Sequence, residues 1–599
     1  MKQLEKQDEI VKTIVDAWNK QHNARKTTLE INEEVEKHLY FADKKDLIDK
    51  LPDVFEISDS LISQFDNSLF KSPASMFNCS LPDEDDTEDH AAIQKAAIIK
   101  TLAKGLIIDE YSKAVINWVN KGEWILFHKW GKDFKNIRVP IQDEFGNYSK
   151  EKQQKETYAG PKVIAVEPKN FVFDTSKKKD FYSSACLKIY QDKKTIEEIL
   201  ENELYNYAKQ QEKDLKELVS EDAKSPDTFN NQDTPRIDGN QLEILEYWGD
   251  IKIDGKLHKD MVIVVAGGEL IVRFEENPFL SCPWVYIDYF EDKKTLRGLS
   301  ALVNIVGLNN KATGMWKAIL NLLKQANNPN FLAQEGQISN EKIDLSEGGK
   351  VVTWKNDKGS NIPPTEIQSY KNIPLNFDNI SYIEKKQETV SGISKYETGD
   401  AFGVARTAKE ASMIMSGTST RLSRNILRLS NRGIIPSITI ISELLADQSQ
   451  DQEQPIKYIS QGGTTEQGII NPEIRQKDYE YSIGNSQVLV EQKSKLADIL
   501  QYVDKLAQIV DFDGKEIWNY IAQAFEITDP SKFLMSDPVQ EFLKTVPPEM
   551  QDQVKQMMVS SAQQQLQQPQ EVINGQAGIS QNSEIPTGIQ NPQNIQPMV

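Results

Sequence analysis

Residues 299–325 read LSALVNIVGLNNKATGMWKAILNLLKQ, and this stretch decides the fold. Its apolar residues recur every three or four positions, which predicts one continuous amphipathic helix. At 1.5 Å per residue such a helix is a rod of about 40 Å, and Asn327-Asn328-Pro329 ends it. The side chains that follow one side of the rod are Leu302, Ile305, Leu308, Ala312, Met315, Ile319 and Leu322.

Downstream of the rod, two further helical segments are separated by a loop. A compact segment rich in turn signals runs to Pro374, and a second helix is predicted from about 376 to 391. The loop Ser391–Ala405 contains three glycines. A very long helical pattern then runs from Thr407 to Asp447, with bends expected at Gly417, Gly433 and Pro436.

The C-terminal part predicts helix and then disorder. Residues 448–490 are polar with short strands, and Gln487–Phe525 has a helical pattern. From about Ser560 onward the composition is dominated by Gln, Asn, Pro, Gly and Ser. Such a segment buries too little apolar surface to order itself, so we expect a disordered tail.

Upstream of the rod, helices and strands are mixed. Residues 1–75 read as helical, Ala91–Asn120 has the pattern of one helix, and Thr195–Ser220 returns to helix. The turn Ala266-Gly267-Gly268-Glu269 predicts a hairpin into Leu270–Phe274. Further strands are expected at Glu123–Lys129, within Gly160–Asp174, and at Leu242–Trp248 and Met261–Val265. The predicted fold class is therefore α+β and mainly helical, with an α+β domain from about 90 to 295.

The charge balance restricts how the chain can meet nucleic acid. The 599 residues carry a formal net charge of −20. Binders that neutralise phosphate along their whole surface are rich in Lys and Arg, so this class is disfavoured. A protein that surrounds DNA without gripping it remains compatible, because an acidic wall repels the backbone. No apolar run reaches the roughly 20 residues of a membrane span, and the N-terminus does not resemble a signal peptide.

Catalytic, cofactor and metal motifs are not found in the sequence. There is no GxxxxGK[ST] phosphate loop, and the three cysteines lie far apart without CxxC spacing. Asp511-Phe512-Asp513-Gly514 begins like a calcium loop but lacks the terminal glutamate. We therefore expect no catalytic residue, no cofactor, no metal and no enzyme activity. The histidines, which show no ligand spacing, are His22, His38, His90, His128 and His258.

The order of elements resembles the portal proteins of tailed bacteriophages and herpesviruses. Pro283-Trp284-Val285 and Arg297-Gly298-Leu299-Ser300-Ala301-Leu302 resemble the portal signature in which a glycine-bearing turn starts the first stem helix. Asn328-Pro329-Asn330-Phe331-Leu332 is similar to the entry of the clip, and Thr407-Ala408-Lys409-Glu410-Ala411 to the helix after the tunnel loop. The tract from Trp124 to Asp174 resembles the wing of podophage-type portals.

This resemblance implies a domain order and a set of partners. It implies a homo-oligomeric ring, a dodecamer, around double-stranded DNA held without sequence specificity, in which stem helices with an acidic and polar surface line the channel. The implied partners are the terminase large subunit, the major capsid protein and scaffold, and head-to-tail adaptors. The implied location is the virion portal vertex, with assembly in the host cytoplasm. The implied segments are an N-terminal helical arm or part of the wing (1–90), an α+β wing (91–295), a first stem helix (296–326), a clip (327–375), a second stem helix (376–392), a tunnel loop (393–408), a long kinked helix with a wing return (409–486), a helical crown (487–545) and a polar tail (546–599).

Two groups of basic residues are candidate functional residues. Lys395, Arg406 and Lys409 flank or lie in the glycine-bearing loop, which is either a plain surface connection or a flexible finger that touches DNA. The second group shares one helix face, since its members are spaced by three, four and four residues: Arg421, Arg424, Arg428 and Arg432. These arginines form subunit contacts or a channel-facing ring, or else a solvated face with intramolecular ion pairs.

Two other functions remain open at this point. The chain can be a non-enzymatic α+β scaffold or adaptor of a virion or large assembly, for which any long helix would serve. It can also be a hydrolase with an unrecognised carboxylate site. A closed ring, a small species without turnover and a small species with turnover distinguish the three.

Overall fold

Helices and strands alternate through the described part of the chain. The computed structural model describes residues 7–39, 51–71, 73–82, 89–142, 148–222, 241–327, 330–334, 351–354, 365–367, 377–393, 422–448, 453–460 and 465–483. All of them belong to the first of two contact units, residues 1–529, and none to the second, 530–599. The predicted crown, the predicted tail and most of the predicted tunnel loop therefore lie outside the described residues.

The helices of the described ranges include three near the N-terminus, as residues 1–75 predicted. The buried side of the first carries Ile10, Ile14 and Trp18, and the second buries Val35 and Leu39. The bounds are α1 (Gln7–Ala24), α2 (Lys26–Leu39), α3 (Asp53–Leu69), α4 (His90–Lys104), α5 (Ile107–Lys121), α6 (Ile196–Glu201), α7 (Glu212–Asp222), α8 (Val303–Asn327), α9 (Phe377–Ser391), α10 (Ile435–Gln448) and α11 (Pro472–Arg475).

The strands form several small sheets and one five-stranded sheet. Their bounds are β1 (Phe77–Ser80), β2 (Glu123–Gln142), β3 (Tyr148–Ala165), β4 (Phe171–Phe173), β5 (Lys188–Thr195), β6 (Gln241–Ile253), β7 (Lys256–Ala266), β8 (Leu270–Glu276), β9 (Trp284–Asp288), β10 (Phe290–Glu291), β11 (Gly298–Leu299), β12 (Asn330–Gln334), β13 (Val351–Trp354), β14 (Thr365–Ile367), β15 (Gln454–Ile459), β16 (Thr465–Ile470) and β17 (Glu480–Ile483). The predicted strands at 123–129, 242–248 and 261–265 are confirmed.

Two antiparallel sheets make up the region before the long helix. One has the order β4-β5-β6-β7-β8 and the other the order β3-β2-β9. The predicted hairpin is confirmed, because Ala266 pairs with Leu270 across Gly267 and Gly268, whose φ values are +60° and +71°. Glycine adopts this left-handed backbone without the penalty of a Cβ atom.

The five-stranded sheet is covered on both faces. On one face Leu245 and Tyr247 of β6 pack with the apolar side of α1. On the other face Leu242 and Ile244 pack with α6 and α7, while Trp248 joins an aromatic cluster with the second sheet. The alternation along β6 follows the two-residue period of a strand. The resulting layers are helix, sheet, and a third layer shared by helices and the second sheet.

A larger helical core adjoins these sheets. It is built from α2, α3, α4, α5 and α10 together with the base of α8. The N-terminal helices therefore pack into the body of the protein, since Val35 and Leu39 of α2 belong to this core and Ile14 of α1 lies on the sheet.

The predicted single helix over Ala91–Asn120 is wrong. The segment forms two helices, α4 and α5, separated at Gly105 and Leu106. Leu106 has a φ of +53° and is 66% exposed. A left-handed residue ends a helix because its carbonyl no longer points along the axis. The chain can then turn α5 so that Tyr111, Trp118 and their neighbours enter the core.

Two other helix predictions hold only in part. Thr195–Ser220 divides into α6, a 3₁₀ turn at Ala208–Gln211 and α7. The long helix starts at Val303 rather than Leu299, because Gly298 and Leu299 pair with β10 as β11. The Ser300 hydroxyl accepts a hydrogen bond from the Leu302 amide at 3.0 Å and so satisfies the chain just before the helix. The second helix, expected at about 376–391, is confirmed as α9.

The long helical pattern after the loop is described from residue 422 to 448, and its α-helix is interrupted near Gly433 and Pro436, while Gly417 lies outside the described residues. Ser430–Ile434 form a π-helical turn between the α-helical residues 422–429 and α10. Pro436 follows this turn and lacks the amide that would bond to the previous turn. Gly433 lies so close to Trp124 that a Cβ atom there would be 2.6 Å from its ring.

Two glycines bring the end of α5 against the start of the long helix. Gly122 has a φ of +80° and closes α5 by donating its amide to Trp118 at 3.1 Å. A Cβ atom on Gly298 would lie 2.0 Å from the Gly122 carbonyl oxygen. Both residues must therefore be glycine for the two backbones to meet.

We predict that Gly298→Ala lowers the free energy of unfolding by about 1–3 kcal/mol or more, as overpacking does. Gly307→Ala, within α8, is the control, because no heavy atom lies within 4 Å of its Cβ position. That change should stabilise by about 0.5–1 kcal/mol through helix propensity. Thermal unfolding of both variants checks the pair, and equal stabilities would contradict the close approach.

Candidate functional site

The start of the long helix is fixed by a buried ion pair between Glu123 and Arg297. Glu123 opens β2, directly after Gly122, and Arg297 precedes β11. The arginine Nε donates to Glu123 Oε1 at 2.6 Å, and its Nη2 donates to Oε2 at 2.5 Å. The two side chains are 3% and 2% exposed, so the pair is withdrawn from solvent. This bidentate geometry is the strongest form of an arginine–carboxylate contact.

Further hydrogen bonds and aromatic contacts surround this ion pair. Glu123 Oε1 also accepts from the Tyr286 hydroxyl and from the Gly298 amide, each at 3.0 Å. Arg297 Nη2 donates to the Phe171 carbonyl at 3.1 Å. The guanidinium lies 4.7 Å from the Phe173 ring centre and 5.5 Å from that of Tyr286. Burial acts to lower the pKa of Arg297, but the Glu123 carboxylate outweighs it and raises that pKa.

The N-terminal helices close this junction from the other side. Asn32 of α2 donates to the Lys121 carbonyl at 2.7 Å and accepts the Ser300 amide at 3.0 Å. Arg25, also buried, donates to the Phe171 carbonyl at 2.7 Å and the Lys169 carbonyl at 2.5 Å. Burial, and then the charge of Arg297, lowers the pKa of Arg25 to about 9.

A second buried network ties the bent helix to the same body. The His128 Nδ1 lies 2.9 Å from the Pro283 carbonyl, and its Nε2 lies 2.6 Å from the Ser437 hydroxyl. A carbonyl only accepts, so Nδ1 carries the proton and Ser437 donates to Nε2. The Tyr111 hydroxyl, 2.6 Å from Ser437, then donates to the serine oxygen. A chain of hydrogen bonds thus runs from Tyr111 of α5 through Ser437 of α10 to His128 of β2.

The predicted arginine face is described in part. Arg428 pairs with Asp288 at 3.0 Å and donates to the Tyr289 carbonyl at 2.7 Å, so its charge is used within the chain. Arg424 and Arg432 are exposed, and Arg421 lies outside the described residues. The intramolecular alternative therefore holds for Arg428, while subunit contacts of Arg424 and Arg432 stay a prediction.

The loop candidates Lys395, Arg406 and Lys409 all lie outside the described residues. None of the residues at the junction or in the histidine network was singled out for a role from the sequence. Arg297 was quoted only as part of the portal signature. Its partner Glu123 precedes an apolar strand, and that local pattern does not reveal a pairing across 174 residues.

The two helices α8 and α9 have a composition that corrects the expected acidic stem surface. α8 contains Lys311, Lys317 and Lys324 and no acidic residue. α9 adds Lys385 and Lys386 against three acids, Asp378, Glu384 and Glu388. Five lysines minus three acids give a net charge of +2 for the pair, in a chain of −20. Most of the 90 acidic residues of the chain therefore lie outside these two helices.

A cavity of about 500 Å³ lies between β6, the segment before β9 and the bent helix. Its lining includes Lys188, Cys282 and Glu443. The lysine amine is 2.9 Å from the Cys186 carbonyl, and Glu443 accepts from the Ser281 hydroxyl. Burial raises the pKa of Cys282, so its thiol stays protonated and is a poor nucleophile. The Lys188 ammonium contacts this thiol and acts in the opposite direction, but burial is the larger effect.

In the part of the chain that the structure describes, no group of three or more His, Cys, Asp or Glu is placed to hold a metal ion. No helix within the described ranges is both long and apolar enough to cross a membrane.

We predict an acid-sensitive stability that depends on His128. Burial lowers its pKa to about 4 from an ordinary value of 6.5. As pH falls, the unfolded chain therefore takes up this proton before the folded protein does. The contribution of His128 to the free energy of unfolding is fully present above about pH 6.5 and is lost as pH falls toward 4. The loss between pH 7 and pH 5 should be on the order of 2 kcal/mol.

In the variant His128→Gln, the unfolding temperature should change less between pH 7 and pH 5 than in the wild-type protein, because glutamine does not titrate. His22, whose pKa burial also lowers to about 4, is present in both proteins, so the difference between them reports His128 alone. Identical pH slopes in the two proteins would contradict the buried neutral histidine.

Comparison with known proteins places this architecture in a family. A model of the family described as Phage SU10 portal protein matches residues 134–571, well over half of the 599 residues. A search among curated proteins finds no match. The match begins within β2 and spans β3, the five-stranded sheet, β9, Arg297, α8, α9 and the bent helix, while Glu123 lies before it. The chain therefore belongs to the Phage SU10 portal protein family, and it is a portal protein of a tailed bacteriophage.

Proposed function

We propose that this portal protein is one subunit of a closed ring, in which α8 and α9 are the stem helices around a channel for double-stranded DNA. The family match supports the portal function at one capsid vertex, in packaging and in ejection. The observation that carries the ring is an uncovered apolar stripe on α8.

The stripe continues a buried face of the same helix. In the first half of α8, Ile305 and Ala312 are completely buried in the body. In the second half, Trp316, Leu320 and Leu323 are 39%, 39% and 41% exposed. Their spacing of four and three residues places them on one face. We call these three residues the stem stripe.

The second stem helix does not cover the stem stripe. α8 and α9 pack together, and Ile319 and Ile383 are buried at 6% and 9%. Trp316 and Leu323 lie three and four residues from Ile319, at the edge of that contact, and the stem stripe stays about two-fifths exposed there. Apolar surface in water is unfavourable at about 25 cal/mol per Å², and a neighbouring copy in a ring would remove it. Such an interface joins two different faces of one subunit, as a ring that closes requires.

The stem charge supports weak contact with DNA rather than repulsion along the whole channel. A net charge of +2 on α8 and α9 attracts phosphate only modestly, and salt screens exposed charges. DNA held in this way can slide, because no single contact is strong. Sequence specificity is not expected from phosphate contacts.

The segment between the stem helices is the proposed clip. Its described parts form one small sheet, in which β12 pairs parallel with β13 and antiparallel with β14. A folded segment at this place supports the role of a docking platform for the terminase large subunit. The sequence has no phosphate loop, so the energy for packaging would come from that partner.

Further features of the proposal follow from the family. The ring is a dodecamer, it sits in the capsid beside the major capsid protein and scaffold, and it receives head-to-tail adaptors. The protein acts as a structural component rather than an enzyme. Membership in a portal family favours this function over a free scaffold or a hydrolase.

We predict that the double variant Leu320→Ser and Leu323→Ser assembles into rings with an apparent affinity at least tenfold lower than that of the wild-type protein. The matched control is Leu257→Ser with Leu280→Ser, two leucines that are 50% and 78% exposed outside the stem. Both variants should unfold at the wild-type temperature. Mass photometry across a dilution series measures the effect, and equal ring fractions would contradict the role of the stem stripe.

We further predict that replacing Lys395, Arg406 and Lys409 together with alanine leaves ring assembly intact and weakens retention of packaged DNA. One exposed contact is worth about 0–1 kcal/mol, but a ring repeats it in every subunit. The loss should not depend on DNA sequence. Wild-type genome retention in the triple variant would contradict this role, and collapse of the ring would reassign the residues to the subunit interface.

A further inference from the structure

A two-stranded ribbon leaves the body between β2 and β3. β9 pairs with β2 only from Glu123 to Phe127, whereas β2 and β3 stay paired as far as Gln142 and Tyr148. Gly131 faces Gly160 at the point where the ribbon emerges. We call residues 132–159 the arm. At about 3.4 Å per residue its first strand is roughly 34 Å long.

Beyond its base, where Glu156–Ala159 meet α4, the arm is not covered by the other described parts of its own chain. Among the described side chains of the arm, 132–138 and 152–159, none is buried. Phe134 is 58% exposed. A two-stranded ribbon without a covering layer is only marginally stable in water. The arm therefore needs a partner to hold one conformation.

The charges of the arm identify the chemistry of that partner. The register places Lys135 opposite Lys155, and Arg138 opposite Lys152. Like charges directly opposite each other destabilise a strand pair. The described strands of the arm, 132–142 and 148–159, carry six basic and three acidic residues. The middle of the arm is thus a basic band, which an acidic surface would stabilise.

An acidic surface of the required kind exists on the same chain. The segment 196–208 contains four glutamates and no lysine or arginine. Glu197, Glu198, Glu201 and Glu203 are all exposed, and the neighbouring Leu204 is 52% exposed. Four acids and one apolar residue complement four cations and Phe134. We call residues 195–204 the acidic segment.

We propose that the arm of each subunit lies on the acidic segment of an adjacent copy, and so ties neighbouring subunits together. This inference rests on the proposed ring, which supplies an adjacent copy at a fixed distance. The cross-subunit charges replace the unfavourable cation pairs within the ribbon. A second copy fits better than DNA, because Phe134 requires an apolar contact, which the exposed Leu204 offers and a phosphate backbone does not.

The test is a charge exchange between the two surfaces. The arm variant carries Lys135→Glu, Arg138→Glu, Lys152→Glu and Lys155→Glu. The acidic-segment variant carries Glu197→Lys, Glu201→Lys and Glu203→Lys. It keeps Glu198, which accepts the Thr195 amide at 2.9 Å in a helix cap. The control reverses four other exposed lysines, Lys177, Lys252, Lys256 and Lys259.

Ring fraction is measured by mass photometry at several salt concentrations, beside unfolding temperature and binding of a double-stranded DNA fragment. Each variant alone should lower the apparent ring affinity at least tenfold at low salt. The combined variant should recover to within threefold of wild type. The control should match wild type, and unfolding temperatures should not change, since the exchanged side chains lie outside the core.

Three results would overturn the proposal while leaving the ring intact. They are wild-type rings in the arm variant, no recovery in the combined variant, and a loss of DNA binding without loss of rings. The last result would assign the arm to DNA. A wild-type protein that forms no ring would instead remove the proposed function, and the arm contact with it.

Discussion

The buried pair of Glu123 and Arg297 is the contact on which the start of α8 depends. Two charges withdrawn from water are costly unless each is fully hydrogen-bonded, and here Tyr286 and Gly298 complete the carboxylate. Removing one partner of such a pair typically costs 3–5 kcal/mol. The pair fixes β2, β9 and the approach to α8 in one arrangement. The direction in which α8 leaves the body follows from that arrangement.

Contacts from several other elements stabilise the surroundings of this pair. The glycines at 122 and 298 allow the close approach, and Asn32 of α2 holds the chain on both sides of it. The bent helix is held separately, by His128 through Ser437. These are rigid contacts between elements distant in sequence. The proposed stem helices would need such a fixed starting point to keep one orientation around a channel.

The local elements were readable from the sequence, and the long-range contacts were not. The 3.6-residue period identified α8 and α9, and the Gly-Gly turn identified the hairpin at 266–270. The break at Leu106 was missed because leucine rarely adopts a positive φ, and nothing in the pattern marks it. The arm was missed because its second strand has no apolar residue from Ser149 to Thr157 and so lacks the alternation of a half-buried strand. The portal signature pointed to Arg297, but only the folded chain shows its partner.

We predict a closed ring, which can be seen directly. Electron cryomicroscopy of the purified full-length protein should show closed rings with a central hole. The wall of that hole should contain α8 and α9, with the Glu123–Arg297 pair at the root of each α8. Particles that remain monomeric at micromolar concentration, or rings with α8 on their outer surface, would contradict the account.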